Sequence, residues 1–164
     1  MEKIILFLFI TLTAGLLLTN IYTSIVDANN WNSDIPNSIQ TARDYFKTSN
    51  PGDFFRIFSP LNQFMGFLSL VFLWHVSRKA RIYLAIALVL VLGADLMTFT
   101  YFYPRNTTMF ESSIPDHLQL IKTSASQRAS MSWIRSLIVA VGLCFAFMGL
   151  NEVYKRQYSA RLDM

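Results

Sequence analysis

Cysteine is almost missing from this chain of 164 residues: Cys144 stands alone, and one thiol makes no internal disulfide, no CxxC redox pair and no thiolate metal cluster. Charge is scarce as well. Asp, Glu, Lys and Arg together supply 15% of the residues, against about a quarter in a soluble chain. Histidine occurs twice, as His75 and His117; the organisation derived below places a bilayer between them, so they share no metal, and haem or non-haem iron loses its usual ligands. Gly-rich phosphate loops, Ser-His-Asp arrangements, nucleic-acid patches, internal repeats and low-complexity tracts are all lacking. The sequence therefore predicts neither a metal nor another cofactor.

What is present is hydrocarbon. Hydrophobic residues make up 53% of the chain, with 14 Phe, and the mean hydropathy is +0.37. A single domain of this size has too little interior to hide so many apolar side chains from water, so lipid is the expected solvent and the bilayer the expected partner. Crossing a bilayer core takes about 20 residues at about 1.5 Å each, and four stretches qualify: Ile4 to Val26, Phe54 to Val76, Ile82 to Tyr103 and Met131 to Leu150. The expected fold is all-α, one integral membrane domain built as an antiparallel four-helix bundle. The first stretch competes with a cleaved signal peptide, but its apolar character runs on through Leu16-Leu17-Leu18 and Ile25-Val26, past a usual signal core, and no small-x-small site follows.

Basic residues set the orientation. Ser77-Arg78-Lys79-Ala80-Arg81 links spans two and three, and Lys155, Arg156 and Arg161 follow span four. With Lys3 these put both termini in the cytoplasm, in a plasma or inner membrane. Seven basic residues then lie inside and seven outside, the outer ones diluted by acids over two longer loops, 27–53 and 104–130. In the first loop, Ile39 to Phe46 is expected as a short amphipathic helix turning Ile39, Ala42, Tyr45 and Phe46 towards the membrane. Pro104 is expected to stop span three, and Ser113-Ile114-Pro115-Asp116 to start a helix that runs on into span four. Asn106-Thr107-Thr108 is a glycosylation sequon, relevant only in a eukaryotic host.

Polar groups inside a membrane are costly and therefore informative. They gather in the outer half. Asp95 lies about 20 Å from the cytoplasmic end of its span at helical rise, with Thr98 and Arg105 on its face. Span one adds Thr19, Thr23 and Asp27, with Asn20 beside them; span two adds Arg56, Ser59, Gln63 and Gly66, flanked by Asn62; span four adds Arg128, Ser132 and Arg135, then Gly142, Ala146 and Gly149. Such stripes must face one another, so an outward-opening polar pocket is expected, with Asn20, Thr23, Arg56, Gln63 and Thr98 as ligand-binding candidates and Asp95 paired with Arg56 or Arg135. The competing explanation is structural: polar pairs that hold register, and Gly15, Gly66, Gly142 and Gly149 that let helices approach. Trp31, Trp74, Trp133, Tyr22, Tyr101 and Tyr103 read as an interfacial aromatic belt, with Trp133 singled out by its place beside Arg135.

Ala14-Gly15 in span one, Tyr103-Pro104-Arg105-Asn106 closing span three and Trp133-Ile134-Arg135 opening span four carry a family resemblance. The chain resembles the anthrone-oxygenase-like domain-of-unknown-function family of small four-span membrane proteins, over most of its length, with a shorter Trp-to-Arg spacing than that family's pattern. The resemblance implies oxidation of an anthrone to an anthraquinone without a metal or flavin, and assigns Asn106, Trp133 and Arg135 as catalytic candidates. Asp95 joins them as the base that takes the proton, with Arg135 or Arg56 stabilising the enolate. The expected function is thus binding of a small lipophilic molecule, with cofactor-free oxidation. The rivals are a non-enzymatic helper or assembly subunit and a small proton-coupled carrier; the carrier is disfavoured by the lack of repeats.

Overall fold

The computed structural model describes residues 2–162, and every regular element among them is helical. Helix α1 (Glu2–Tyr22) passes through a π-helical turn, π1 (Thr23–Asp27), into α2 (Ala28–Asn32) without a break. A short α3 (Asn37–Tyr45) and a long α4 (Pro51–Phe72) follow. Helix α5 (Arg78–Met97) likewise runs through a π turn, π2 (Thr98–Phe102), into α6 (Tyr103–Glu111), and α7 (Ile114–Leu162) completes the chain with a kink at His117 (φ −123°, ψ 21°).

Local chemistry moves several boundaries away from the hydropathy limits. Asn50 starts α4 ahead of Phe54: its side chain accepts from the Gly52 N–H at 2.8 Å, the Asp53 carboxylate accepts from the Asn50 N–H at 2.9 Å, and Pro51 fills the first helical position, where no N–H is needed. Ser77 precedes α5 in extended conformation as its N-cap, so Arg78, Lys79 and Arg81 belong to the helix, and the turn is formed by 73–77. Pro104 does not end span three. A proline lacks the N–H and crowds the carbonyl four residues back; π2 widens the ladder just before it, Pro104 sits in the first turn of α6, and the chain stays helical to Glu111. Helix α7 begins at Ile114, far ahead of its apolar segment, as the Ser113-Ile114-Pro115-Asp116 pattern predicts.

Helix α1 packs on α4 and α7, and α5 packs on α7 and α4, so the four long helices enclose one interior. It has three layers. At one end lies an apolar core of Leu6, Phe9, Leu84, Ala87, Ala146 and Val153 with their neighbours. Gly66 and Gly149 permit its close approaches, because a Cβ on Gly66 would stand 2.8 Å from Phe9 Cε2 and one on Gly149 2.8 Å from Leu84 Cδ2. Gly142 is in ordinary contact and Gly15 faces open space, so Gly15 has no part in helix approach. A polar layer comes next. Beyond it, Trp31, Ile39, Ala42, Met109, Ile121 and Ala125 form a second core.

That outer core corrects the expectation for α3. Ile39 and Ala42 are buried, but against the prolonged helices rather than a membrane surface, and Tyr45 is 80% exposed. The cause is that α2, α6 and the start of α7 extend past the apolar segments and provide an apolar wall of their own.

Three stretches, Lys3–Asn32, Arg78–Glu111 and Ile114–Arg156, are long and apolar enough to cross a membrane. Helix α4 has 22 residues, but Arg56, Ser59, Asn62 and Gln63 dilute its hydrocarbon content.

Candidate functional site

The polar layer is where α1, α4, α5 and α7 face one another. Asp95 on α5 accepts a hydrogen bond from Gln63 Nε2 of α4. Arg135 on α7, 5% exposed, donates through Nη1 to Thr98 Oγ1 at 3.2 Å, and its guanidinium carbon stands 4.2 Å from the Phe102 ring centroid and 5.4 Å from that of Phe55. Asn20 of α1 and Asn62 of α4 are buried beside them, and Thr13 Oγ1 lies 3.1 Å from Asn62 Oδ1. The space left among Asn20, Ser59, Asn62, Asp95, Thr98 and Arg135 is about 20 Å³, room for one water. The ligand pocket expected here is packed shut to a space too small for an organic molecule.

The expected ion pairs of Asp95 are not formed either. Among the described residues, the side-chain pairs within 4.0 Å are Lys47 with Asp44, Arg56 with Asp53 and Lys155 with Glu152. Arg56 reaches only Asp53, at 3.3 Å, on an exposed surface, because it lies two turns further out than Gln63, whose amide occupies the position facing Asp95. Arg135 goes to Thr98 and to two rings. Thr23 is buried within π1 and donates to Asn20 O at 2.9 Å, satisfying its own backbone; it lines neither cavity.

A second polar region lies two helical turns further along α7. There a cavity of about 360 Å³ opens among α2, α3, α6, α7 and the start of α4, within the size range of small-molecule sites. Trp31, Phe46, Tyr103 and Phe110 give it aromatic walls, and Arg43, Arg56, Asn106 and Arg128 give it polar ones. Arg128 is 7% exposed. Its Nε donates to Asn106 Oδ1 at 2.7 Å, and its guanidinium carbon stacks 4.3 Å from the Trp31 ring centroid, an arrangement that favours the flat guanidinium over a lysine ammonium.

Two further arginines brace this region. Arg43 donates from Nε and Nη2 to Met109 O at 3.0 and 2.6 Å and from Nη2 to Ser112 O at 2.8 Å, so α3 satisfies the open carbonyls at the end of α6. Arg105 ties α6 to α7 through Gln127 Oε1 at 3.0 Å and lies over the Tyr101 ring.

The sequence-derived residues thus divide. Asn20, Gln63, Asp95, Thr98 and Arg135 converge in the closed layer; Asn106 and Arg56 border the open cavity; Thr23 faces its own backbone; Trp133 is 51% exposed on the outside of α7. The four catalytic candidates, Asp95, Arg135, Trp133 and Asn106, do not share one space. Trp31, assigned to an interfacial belt, is 4% exposed and forms a wall of the cavity. Arg128 was legible as part of a stripe, but not as its most open member. The missed signal is the lack of any Gly or Pro between Val26 and Ile35, which lets the first helix run on and carry Trp31 inward. Among the described residues, no three His, Cys, Asp or Glu side chains are grouped to hold a metal ion. No family model, curated protein or solved structure matches this chain.

Proposed function

We propose that this chain is an integral membrane four-helix bundle with both ends in the cytoplasm, and that it holds a small lipophilic molecule in the outer cavity beside Arg128. Helix α4 serves as the fourth span because, beyond the exposed Arg56 in its second turn, its polar residues point inward. Ser59, Asn62 and Ser69 are buried, while Ile57, Leu61, Phe64, Phe67, Val71 and Phe72 form its exposed face, which suits lipid.

The orientation draws on the distribution of cations. Lys3 Nζ lies 4.3 Å from the Tyr154 ring centroid, so the start of α1 and the far part of α7 share an end with Arg81, which lies over Trp74 in the α4–α5 turn. The basic residues crowded there are the cytoplasmic signature. At the other end Arg43, Arg56, Arg105, Arg128 and Arg135 are engaged by carbonyls, Asp53, amides, hydroxyls or rings.

The single observation that carries the binding reading is a cavity of about 360 Å³ with four aromatic walls and a buried guanidinium. Cofactor-free oxidation of an anthrone-like phenolic, implied by the family resemblance, requires a base and a stabilising cation at one carbon. Asp95, Trp133 and Arg135 do not line this cavity, so the function proposed is binding rather than turnover. Fixing helix register, the helper-subunit role, falls to the closed polar layer.

Native mass spectrometry of the protein released from mild detergent tests the binding reading. A co-released organic molecule, lost in Trp31→Ala, is the expected result; a chain that carries nothing and takes up no added lipophilic compound would overturn it. Ser77→Cys in a Cys144→Ala background should resist impermeant thiol reagents in intact cells, and ready labelling would invert the topology.

A further inference from the structure

We propose that the molecule held in the outer cavity is a lipophilic oxyanion, a ring-bearing apolar body ending in a carboxylate, phenolate or phosphate oxygen that lies against Arg128. This rests on the cavity being a ligand site and adds the ligand's charge.

The inference comes from charges the chain leaves unmatched. Three arginines and one glutamate line the cavity. Arg56 has the carboxylate of Asp53. Arg43 is bonded to the neutral carbonyls of Met109 and Ser112, and Arg128 to the neutral amide of Asn106. No ion pair joins Asp27 or Glu111 to Arg128 within 4.0 Å, and Arg128 Nη1 is buried with no partner. A guanidinium stays charged at neutral pH, and a buried charge needs a counter-charge or a full set of hydrogen bonds. Seven residues along the same face, Arg135 adds a second buried cation whose side-chain hydrogen bond also goes to a neutral group, Thr98. Asp27 and Asp95 lie in the same region without reaching either guanidinium within 4.0 Å, so the cavity wall itself presents three guanidiniums against one carboxylate, with Arg128 Nη1 left free of any partner.

The cavity's shape selects the rest of the ligand. Aromatic walls of Trp31, Phe46, Tyr103 and Phe110 suit a flat apolar body, and the guanidinium fork suits a group that presents oxygens. A cation is disfavoured by the same charges. Either a free organic acid or the headgroup of an anionic membrane lipid supplies this chemistry.

The test is equilibrium dialysis of the full chain in a non-ionic detergent against three probes: 2-naphthoate, its neutral isostere 2-naphthamide, and dihexanoyl phosphatidate. Naphthoate should bind about tenfold more tightly than naphthamide, the difference that one charge-assisted hydrogen bond supplies, and Arg128→Gln should bring that ratio close to one. Should Arg128→Gln fail to fold, Arg56→Gln at the exposed rim should still lower the ratio. Equal binding of naphthoate and naphthamide, or a preference that survives Arg128→Gln, overturns the oxyanion proposal while leaving the cavity as a binding site. Binding of phosphatidate alone supports the oxyanion and identifies membrane lipid as its source. If none of the three binds, the cavity reading fails as well.

Discussion

Arg128 and Arg135 lie on the same face of α7, seven residues apart, and both are more than nine-tenths buried, yet one borders a space of about 360 Å³ and the other a space of about 20 Å³. The difference comes from what the neighbouring helices bring. Around Arg135 the four long helices are in contact and offer short side chains, Asn20, Ser59, Asn62 and Thr98, that fill the gaps, although Asn20 Oδ1, Asn62 Nδ2 and Arg135 Nε stay without a partner there. Around Arg128 the α1 and α5 walls have passed their π turns, α4 is only starting, and the walls are bulky rings braced by Arg43. Rings on short helices leave voids that small polar side chains on packed helices do not. The proposed division follows from this contrast, with register assigned to the arginine in the first setting and ligand binding to the one in the second.

The largest effects should come from the packed side of this contrast. Gly66→Leu places carbons where Phe9 and Leu88 already stand, 2.8 and 3.0 Å from the new Cβ, and should cost close to the upper end of the roughly 1–3 kcal/mol typical of overpacking. Thermal unfolding in detergent reads it, and an unchanged midpoint would mean that the inner helices are looser than described. Gln63→Leu comes next. It removes the donor to half-buried Asp95 and should cost about 2 kcal/mol, within the range for a buried group left without its partner. Retention of any co-purifying molecule should be unaffected; its loss would tie the closed layer to the ligand and dissolve the distinction between the two regions.

Much of the fold was legible because it follows from patterns that the chain repeats many times over. Apolar run lengths revealed the long helices, and the stripe Arg128, Ser132, Arg135, Gly142, Ala146 and Gly149 is buried along α7 as its spacing predicts. The convergence of Gln63 with Asp95 was also readable, since each sits on the polar face of an otherwise apolar helix. What failed depended on phase and on single partners. Hydropathy has no term for a π turn, and π1 shifts the face that follows it: Thr23, inside the turn, bonds to its own backbone, and Trp31, beyond it, turns inward. Arg56 looked like a partner for Asp95 from its stripe, but Asp53, three residues before it, is nearer. Trp133 adjoins Arg135 closely in sequence, yet two residues along a helix is more than half a turn, and it points to the opposite side.

Asn106→Ala tests the open side. It removes the partner of a buried charged nitrogen, as Gln63→Leu removes the partner of Asp95, but here the cavity lets water take the vacated place. The cost should therefore fall to about 1 kcal/mol, the net value of one hydrogen bond, accompanied by weaker ligand binding. A loss of stability as large as that of Gln63→Leu would show that the surroundings of Arg128 are as closed as those of Arg135.

The smallest effect belongs to Trp133→Leu, and its value lies in being small. An anthrone-oxidising site of the kind expected from the sequence would include Trp133, whereas its side chain is half exposed on the outside of α7, borders neither cavity and presents an apolar surface that leucine supplies equally well. Unfolding should shift by no more than about 0.5 kcal/mol, as for surface substitutions away from special contacts, and the affinity for a cavity ligand should not change. Trp31→Leu is the matched control: it removes the ring stacked on Arg128 at 4.3 Å and should lose both stability and binding. If the two substitutions exchanged behaviour, so that Trp133→Leu abolished binding and Trp31→Leu spared it, the ligand would lie on the lipid-facing side of α7 and the cavity beside Arg128 would be only a gap in the outer packing.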